Sequence, residues 1–149
     1  MRLGVMFSFM LVAGCGEAPL ELADGGSARL EHWTDRWIVI NYWAEWCAPC
    51  RLEIPELNDL HREGVGAGLV VLGVNYDDLE KEPLHALSER MGIEFPVLVR
   101  DPRHIWGYEL PQVLPTTVVI APDGSVHAEL VGPQTLETIS ASVGRAHHR

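Results

Sequence analysis

Apolar runs alternate along the chain with segments that mix apolar and polar positions, which is the pattern of strands joined by helices. Residues 37–42, 69–75 and 117–120 are short apolar runs rich in β-branched side chains, and we expect each of them to be a buried strand. Residues 95–99 form a shorter run that predicts an extended segment. Residues 126–131 follow a Pro-Asp-Gly turn and predict a strand that returns beside the previous one.

Three segments carry apolar residues at the spacing of an amphipathic helix. We expect the first helix at residues 47 to about 63, a second helix that Gly92 ends, and a third that Pro133 opens. The apolar faces consist of Leu57 and Leu60 in the first helix, Leu84, Leu87 and Met91 in the second, and Leu136, Ile139 and Val143 in the third. The order β-α-β-α-β-β-α predicts an α/β fold with a central mixed β-sheet flanked by helices.

The composition is that of one globular domain. The chain has 149 residues, of which 47% are hydrophobic and 21% are charged. No apolar run in the sequence reaches the roughly 18–20 residues of a membrane-spanning helix. The formal net charge of −10 disfavours nucleic acid and anionic membrane surfaces as electrostatic partners.

The first residues have the features of a targeting segment. A single early charge, Arg2, precedes a short apolar stretch at residues 3–12. The sequence Val12-Ala13-Gly14-Cys15 then resembles the cleavage box of bacterial lipoproteins, in which the cysteine becomes the first residue and carries lipid. An ordinary signal peptide and a buried first strand are the alternatives.

The resemblance to a lipoprotein implies a chain in three parts. We expect a lipoprotein-type signal peptide at residues 1–14, a tether at residues 15–28 with lipid on Cys15, and one folded domain at residues 29–149. The tether contains glycine, proline and several small residues, with one edge strand near residues 20–22. Such a chain is exported and held to a membrane through its lipid.

Two cysteines lie where the first predicted strand meets the first predicted helix. Cys47 and Cys50 are separated by two residues, a spacing that suits a small disulfide ring, a metal site or a redox pair. The unpaired N–H groups and the dipole at a helix N-terminus favour a thiolate, the nucleophilic form of cysteine. We expect Cys47 to be the nucleophile at the exposed end of the helix and Cys50 to be shielded one turn further in.

Two other interpretations of the cysteine pair stay open. A structural zinc site needs four ligands, but the sequence has no second Cys pair and its histidines are scattered. A purely structural disulfide is the other interpretation, although so small a ring restrains the unfolded chain little. We therefore expect no metal site.

The stretch around the cysteines resembles the active site of thioredoxin-fold proteins. It reads Trp43-Ala44-Glu45-Trp46-Cys47-Ala48-Pro49-Cys50-Arg51. Pro55 matches the proline that kinks the active-site helix of that family, and Leu114-Pro115-Thr116-Thr117 resembles its cis-proline segment. The chain is most similar to the exported TlpA/ResA branch. The resemblance implies a thioredoxin-like fold and a redox-active Cys47–Cys50 disulfide, with no further cofactor.

The resemblance also assigns roles to residues next to the cysteines. Glu53 matches a glutamate that handles protons and tunes the thiols in that branch, the alternative being an ordinary surface acid of the helix. Asn41 stands where thioredoxin itself has a buried Asp that helps to deprotonate the second thiol. Because Asn cannot ionise, this difference places more weight on Glu53.

A substrate groove is implied around the same site. The resemblance makes Trp46 an exposed aromatic lip, Pro115 a cis proline and Leu114 a source of backbone groups for a bound substrate, while Trp43 belongs to the core. We expect Thr116, in the same segment, to contact the substrate as well. The cytochrome-c-maturation branch typically has Glu at that position, which disfavours that specialisation here.

These features favour an exported thiol–disulfide oxidoreductase that reduces disulfides in other proteins. Ala48-Pro49 is closer to the Gly-Pro of thioredoxin than to the Pro-His of strong oxidants. We expect protein substrates with disulfides or cysteines, an electron donor in the membrane or the periplasm, and a site on the periplasmic side of a bacterial membrane. The alternatives are a non-catalytic module that holds cysteine-containing proteins, a cytochrome-c-maturation thioredoxin, and a peroxide reductase, whose usual Pro-x-x-x-Thr-x-x-Cys context is absent.

Overall fold

A mixed β-sheet with helices on its faces forms the centre of the molecule in the computed structural model, which describes residues 18–64 and 66–144. The strands are β1 Leu20–Glu21, β2 Ser27–Ala28, β3 Trp37–Trp43, β4 Leu69–Asn75, β5 Val97–Leu98, β6 Thr116–Ile120 and β7 Val126–Val131. The helices are α1 Ala48–Gly64, α2 Lys81–Met91, α3 Arg103–Trp106 and α4 Leu136–Gly144.

The sheet has the strand order β5-β4-β3-β6-β7, with β3 at its centre. β3, β4 and β5 are parallel, whereas β6 and β7 run antiparallel to their neighbours. The predicted mixed sheet flanked by helices is therefore confirmed. In this register Asn41 of β3 lies between Gly73 of β4 and Thr117 of β6, which brings two polar side chains together in the middle of the sheet.

Each face of the sheet carries its own hydrophobic cluster because side chains alternate along a strand. Val39 of β3 and Val71 of β4 pack against Leu57 and Leu60 of α1 and Ile139 of α4. The side chains on the opposite face of the sheet form a second cluster, which includes Ile38, Ile40, Leu72, Val118 and Ile120. The apolar faces predicted for the first and last helices therefore point into the core.

Residues 20–28 belong to the folded domain, which differs from the tether predicted for residues 15–28. β1 and β2 pair as an antiparallel hairpin, and the N–H of Ala23 donates to the carbonyl of Val97 at 2.9 Å. Ala23 is buried in the cluster that contains Cys47. The glycines here form a turn, and the apolar residues around it pack on the sheet, so residues 20–28 are part of the folded domain.

The segment before residue 18 carries predictions on which the structure is silent. The predicted signal peptide at residues 1–14 and the lipid site at Cys15 lie outside the described residues. Among the helices that the structure describes, none is long and apolar enough to span a bilayer.

The last helix begins three residues later than Pro133, where it was predicted to start. Thr135 caps it, because the Thr135 hydroxyl oxygen accepts the N–H of Thr138 at 3.1 Å. The residue before this cap is bound to α1, because the carboxylate of Glu53 accepts the N–H of Gln134 at 2.8 Å. The start of α4 is thus fixed by a Thr cap and by α1 rather than by proline geometry.

Two short helical turns, α3 and a 3₁₀ turn at Leu30–Trp33, were not predicted. Each has four residues, which is too short to display a helical period of apolar positions.

We expect Leu57→Ala to lower the free energy of unfolding by about 2–5 kcal/mol, because Leu57 is 0% exposed and its loss leaves a cavity between α1 and the sheet. Leu52→Ala is the matched control in the same helix, because Leu52 is 77% exposed, and it should change the value by less than about 0.5 kcal/mol. Urea denaturation of both variants measures this. Equal losses would contradict the packing described.

Candidate active site

Cys47 and Cys50 form a disulfide at the start of α1. Cys47 directly precedes the helix, and its sulfur lies 3.3 Å from the backbone nitrogen of Cys50, whose N–H it accepts. Cys47 thus occupies the place of a capping residue, where a side-chain acceptor takes up one of the unpaired N–H groups of the first turn. A thiolate at this position gains that hydrogen bond and the favourable end of the helix dipole, both of which stabilise its negative charge.

Both cysteines are buried. Cys47 is 4% exposed and Cys50 0%, so Cys47 is the outer cysteine at the helix end and Cys50 is the shielded one. Both pack against Leu84 and Leu87 of α2, and half-buried Leu114 contacts the same cluster. Side chains from two distant segments cover the disulfide, which the local sequence around the cysteines does not reveal.

Trp46 projects from the surface next to Cys47. Its side chain is 64% exposed, and its indole N–H donates to both carboxylate oxygens of Asp77, at 3.0 and 3.2 Å. The N–H of Asp77 in turn donates to the side-chain oxygen of Asn75 at 3.0 Å. The exposed ring is therefore held in place by a series of hydrogen bonds that leads through Asp77 to Asn75 at the end of β4. Trp43 is 0% exposed, as predicted for a core residue.

The peptide bond between Leu114 and Pro115 is cis, as the sequence predicted. The Pro115 carbonyl accepts the N–H of Gly132 at 2.9 Å, which joins this segment to the loop before α4. Thr116 is 0% exposed, and its hydroxyl donates to the carbonyl of Val113 at 2.8 Å. A side-chain contact between Thr116 and a substrate is therefore not available in this structure.

Glu53 is 1% exposed and lies one turn along α1 from Cys50, so it is not the surface acid that was the alternative interpretation. One carboxylate oxygen accepts the side-chain N–H of Asn41 at 2.8 Å, and the other accepts the N–H of Gln134 at 2.8 Å. Burial raises the pKa of Glu53 above its ordinary value, and the hydrogen bonds from Gln134 and Asn41 lower it in part. A buried carboxyl whose pKa lies closer to neutrality is suited to accept and return a proton.

Asn41 connects Glu53 to the sheet. Its side-chain nitrogen donates to Glu53 and also to the hydroxyl of Thr117 at 3.1 Å, while its side-chain oxygen is buried and has no partner among the described residues. Thr117 was predicted only as part of the cis-proline segment, and no role was predicted for Gln134. Thr117 could have been found as a polar position opposite Asn41 in an apolar strand, whereas Gln134 acts through its backbone and leaves no signal in the sequence.

A metal ion was one alternative for the cysteine pair. Within residues 18–64 and 66–144, no group of three or more His, Cys, Asp or Glu side chains is placed to hold one. The sulfurs of Cys47 and Cys50 are bonded to each other.

Comparisons with known proteins agree with this geometry. A model of the AhpC/TSA family matches residues 16–129. The chain is 31% identical over 116 residues to the thiol-disulfide oxidoreductase ResA of Geobacillus kaustophilus, an alignment that covers 77% of this chain and 66% of that protein. It is 30% identical over 128 residues to the thiol:disulfide interchange protein HelX of Rhodobacter capsulatus, covering 85% of this chain and 66% of that one. The chain thus spans slightly less than two thirds of the length of these curated relatives.

Solved structures support the same fold. A thiol:disulfide interchange protein of the thioredoxin family from Chlorobium tepidum superposes with a TM-score of 0.73 at 25% sequence identity, covering 87% of this chain and 92% of that structure. The predicted thioredoxin-like fold is therefore confirmed.

In the reduced protein we expect Cys47 to react with iodoacetamide faster than Cys50. Cys47 has the capping position and the greater exposure, so its thiol pKa should lie below the value of about 8.5 of a free cysteine. Mass spectrometry of peptides after timed alkylation between pH 5 and 9 measures both rates in one sample. A Cys50 that reacts as fast as Cys47 would contradict the assignment of the nucleophile.

Proposed function

The chain belongs to the AhpC/TSA family, and we propose that it is a thiol–disulfide oxidoreductase that reduces disulfide bonds in other proteins. The observation that carries the proposal is the Cys47–Cys50 disulfide, which lies at the N-terminus of α1 in a hydrophobic cluster against which Leu114 of the cis-proline segment packs. The relatives ResA and HelX are named for thiol–disulfide chemistry, which agrees with this assignment.

The reaction begins with the reduced protein. The Cys47 thiolate attacks one sulfur of a substrate disulfide, a bond forms between Cys47 and that sulfur, and the other substrate sulfur leaves as a thiolate. Cys50 then attacks the sulfur of Cys47. The Cys47–Cys50 bond forms, the second substrate sulfur leaves, and two electrons have passed from the protein to the substrate.

Glu53 is proposed to take the proton of Cys50 before this second attack. Both residues are buried on α1, one turn apart, and water has little access to either of them. Asn41 cannot serve as a base, because an amide does not ionise at neutral pH. The leaving substrate thiolate then takes up a proton either from Glu53, which returns to its ionised form, or from water.

The direction of electron flow follows from the residues between the cysteines. Ala48 and Pro49 carry no charge, so the Cys47 thiolate lacks the histidine that stabilises the reduced form of strong oxidants. The reduced cysteine pair is therefore a better electron donor than the reduced pair of those oxidants. A second protein in the membrane or periplasm must then reduce the Cys47–Cys50 disulfide again.

The chain is further proposed to be exported and anchored on the periplasmic side of a bacterial membrane. The support is the sequence Val12-Ala13-Gly14-Cys15 after an apolar stretch at residues 3–12. A lipid on Cys15 would keep the active site close to a membrane-bound electron donor while soluble and membrane proteins reach it as substrates.

Reduction of insulin by dithiothreitol tests the proposed activity. We expect the wild-type protein to accelerate the reaction, Cys47→Ser to abolish the acceleration, and Cys50→Ala to accumulate a mixed disulfide through Cys47, because the resolving sulfur is missing. Wild-type protein that captures a cysteine-containing peptide without accelerating insulin reduction would favour the non-catalytic binding module. Consumption of hydrogen peroxide at a comparable rate would favour the peroxide reductase.

Glu53→Gln should slow the resolution of the mixed disulfide by roughly 100-fold near pH 7, the contribution of a positioned base. Because burial raises the pKa of Glu53, the rise of the wild-type rate as Glu53 ionises should lie at a higher pH than it would for an ordinary glutamate. The variant lacks that rise. Stopped-flow measurements between pH 5 and 9 record both profiles.

Glu56→Gln is the matched control, because Glu56 lies one turn further along α1 and its carboxylate accepts the N–H of Leu136 at 3.0 Å. It should keep the wild-type pH profile. A Glu53→Gln profile that overlays the wild type would mean that the proton of Cys50 goes to water.

Lipid attachment is tested on protein made in a bacterial host. We expect the N-terminal peptide to begin at Cys15 and to carry lipid, and Cys15→Ser to remain uncleaved at that position. Mass spectrometry reads both. An unmodified peptide that begins at Met1 in the wild-type protein would refute both the anchor and the export signal.

A further inference from the structure

The side chains of Asn41, Glu53 and Thr117 meet where α1 packs on the central strand of the sheet. Asn41 of β3 is 0% exposed and donates through its side-chain nitrogen Nδ2 to Glu53 Oε1 at 2.8 Å and to Thr117 Oγ1 at 3.1 Å. The two hydrogens of Nδ2 are therefore both used. The side-chain oxygen of Asn41, Oδ1, is buried and accepts no hydrogen bond from the described residues.

This arrangement suits the ionised form of Glu53. Its two oxygens face two donors, Asn41 Nδ2 and the N–H of Gln134, and a carboxylate accepts from both. A protonated Glu53 has the opposite need, since its O–H must find an acceptor. The N–H of Gln134 can only donate, so a proton on the Glu53 oxygen that faces it would cost that hydrogen bond.

Asn41 can supply that acceptor without moving its backbone. A rotation of about 180° about the terminal side-chain bond exchanges Nδ2 and Oδ1, because the two ends of an amide have nearly the same shape. Oδ1 then accepts the O–H of Glu53. The hydroxyl of Thr117 rotates as well and donates to Oδ1, because a hydroxyl serves as donor or acceptor. The rotation breaks no hydrogen bond at the other end of the amide, where Oδ1 has no partner.

We propose that the amide of Asn41 rotates when Glu53 takes up a proton, so that Glu53 stays hydrogen-bonded to Asn41 in both charge states. Asn41 and Thr117 are positioning residues in this scheme and act on the thiols only through Glu53. An aspartate at position 41 could not do this, because a carboxylate has no N–H to offer the ionised Glu53. The inference rests on the proposed role of Glu53 as the proton acceptor.

In the described part of the chain, the groups that hydrogen-bond to Glu53 are all uncharged. β3 and β6 contribute the neutral Asn41 and Thr117, and the loop before α4 contributes the backbone of Gln134. On α1 itself, Cys50 does not titrate while it is in the disulfide. Glu56 is occupied by the N–H of Leu136. The uptake of a proton by Glu53 is therefore the event that reverses the direction of the hydrogen bonds.

NMR of the oxidised protein tests the rotation. The carboxyl carbon of Glu53 and the side-chain NH₂ group of Asn41 are followed between pH 4 and 9 in uniformly labelled protein. We expect both NH₂ proton signals of Asn41 to move together, with the same midpoint as the Glu53 carboxyl, because both hydrogens leave their acceptors when the amide turns. If the amide stays in place, only the proton that faces Glu53 responds, and that result overturns the proposal.

Two further samples secure the interpretation. Asn58 is a matched control, since its amide donates to the carbonyl of Gly92 at 2.8 Å and accepts the N–H of Glu94 at 2.9 Å, partners that do not titrate. Its signals should not follow Glu53. Thr117→Val removes the hydroxyl while keeping the side-chain shape, and it identifies which proton of Asn41 faces residue 117 by shifting that signal at every pH.

A Glu53 carboxyl that does not titrate while the protein is folded also overturns the proposal. Because the titration uses oxidised protein without substrate, its outcome is separate from that of insulin reduction. If the protein reduces insulin but the Asn41 amide does not rotate, the rotation is refuted and the proposed activity is kept. If the amide rotates but insulin is not reduced, the proposed activity is refuted and the rotation is kept.

Discussion

A buried carboxylate is the constraint on which the rest of this active site depends. Moving an ionised carboxyl out of water is costly unless donors replace the lost solvation. Glu53 obtains its donors from Asn41 of β3 and from the backbone of Gln134. To satisfy one side chain, the fold must therefore bring α1, the central strand and the loop before α4 to a single point.

The same requirement shapes the substrate side of the molecule. The loop that Glu53 holds through Gln134 also contains Gly132, whose N–H bonds to the carbonyl of Pro115. The cis-proline segment and the base of α1 are thus joined by a short chain of hydrogen bonds. Trp46, next to Cys47 in the chain, and Val113, next to Leu114, are exposed apolar side chains.

Two different mechanisms adjust the ionisable groups of the site. For Cys47 the helix N-terminus favours the charged form, because the N–H of Cys50 points at its sulfur. For Glu53 burial favours the neutral form, and two hydrogen bonds offset part of that effect. A raised pKa of Glu53 lowers the free-energy cost of moving a proton from the neighbouring Cys50 thiol to this carboxylate.

The sequence by itself determined the strands β3, β4, β6 and β7, the main helices, the α/β class and the cysteine pair, because these depend on local periodicity and on spacing along the chain. It also identified Glu53 and Pro115 through resemblance. Tertiary structure alone decided the burial of Glu53, the partnership of Asn41 with Thr117 and the role of the Gln134 backbone, because the residues of each pair are far apart in the chain. It also placed residues 20–28 on the sheet and closed the surface over Cys47 with side chains of α2. Contacts of that kind depend on how elements pack, and no pattern within one segment records them.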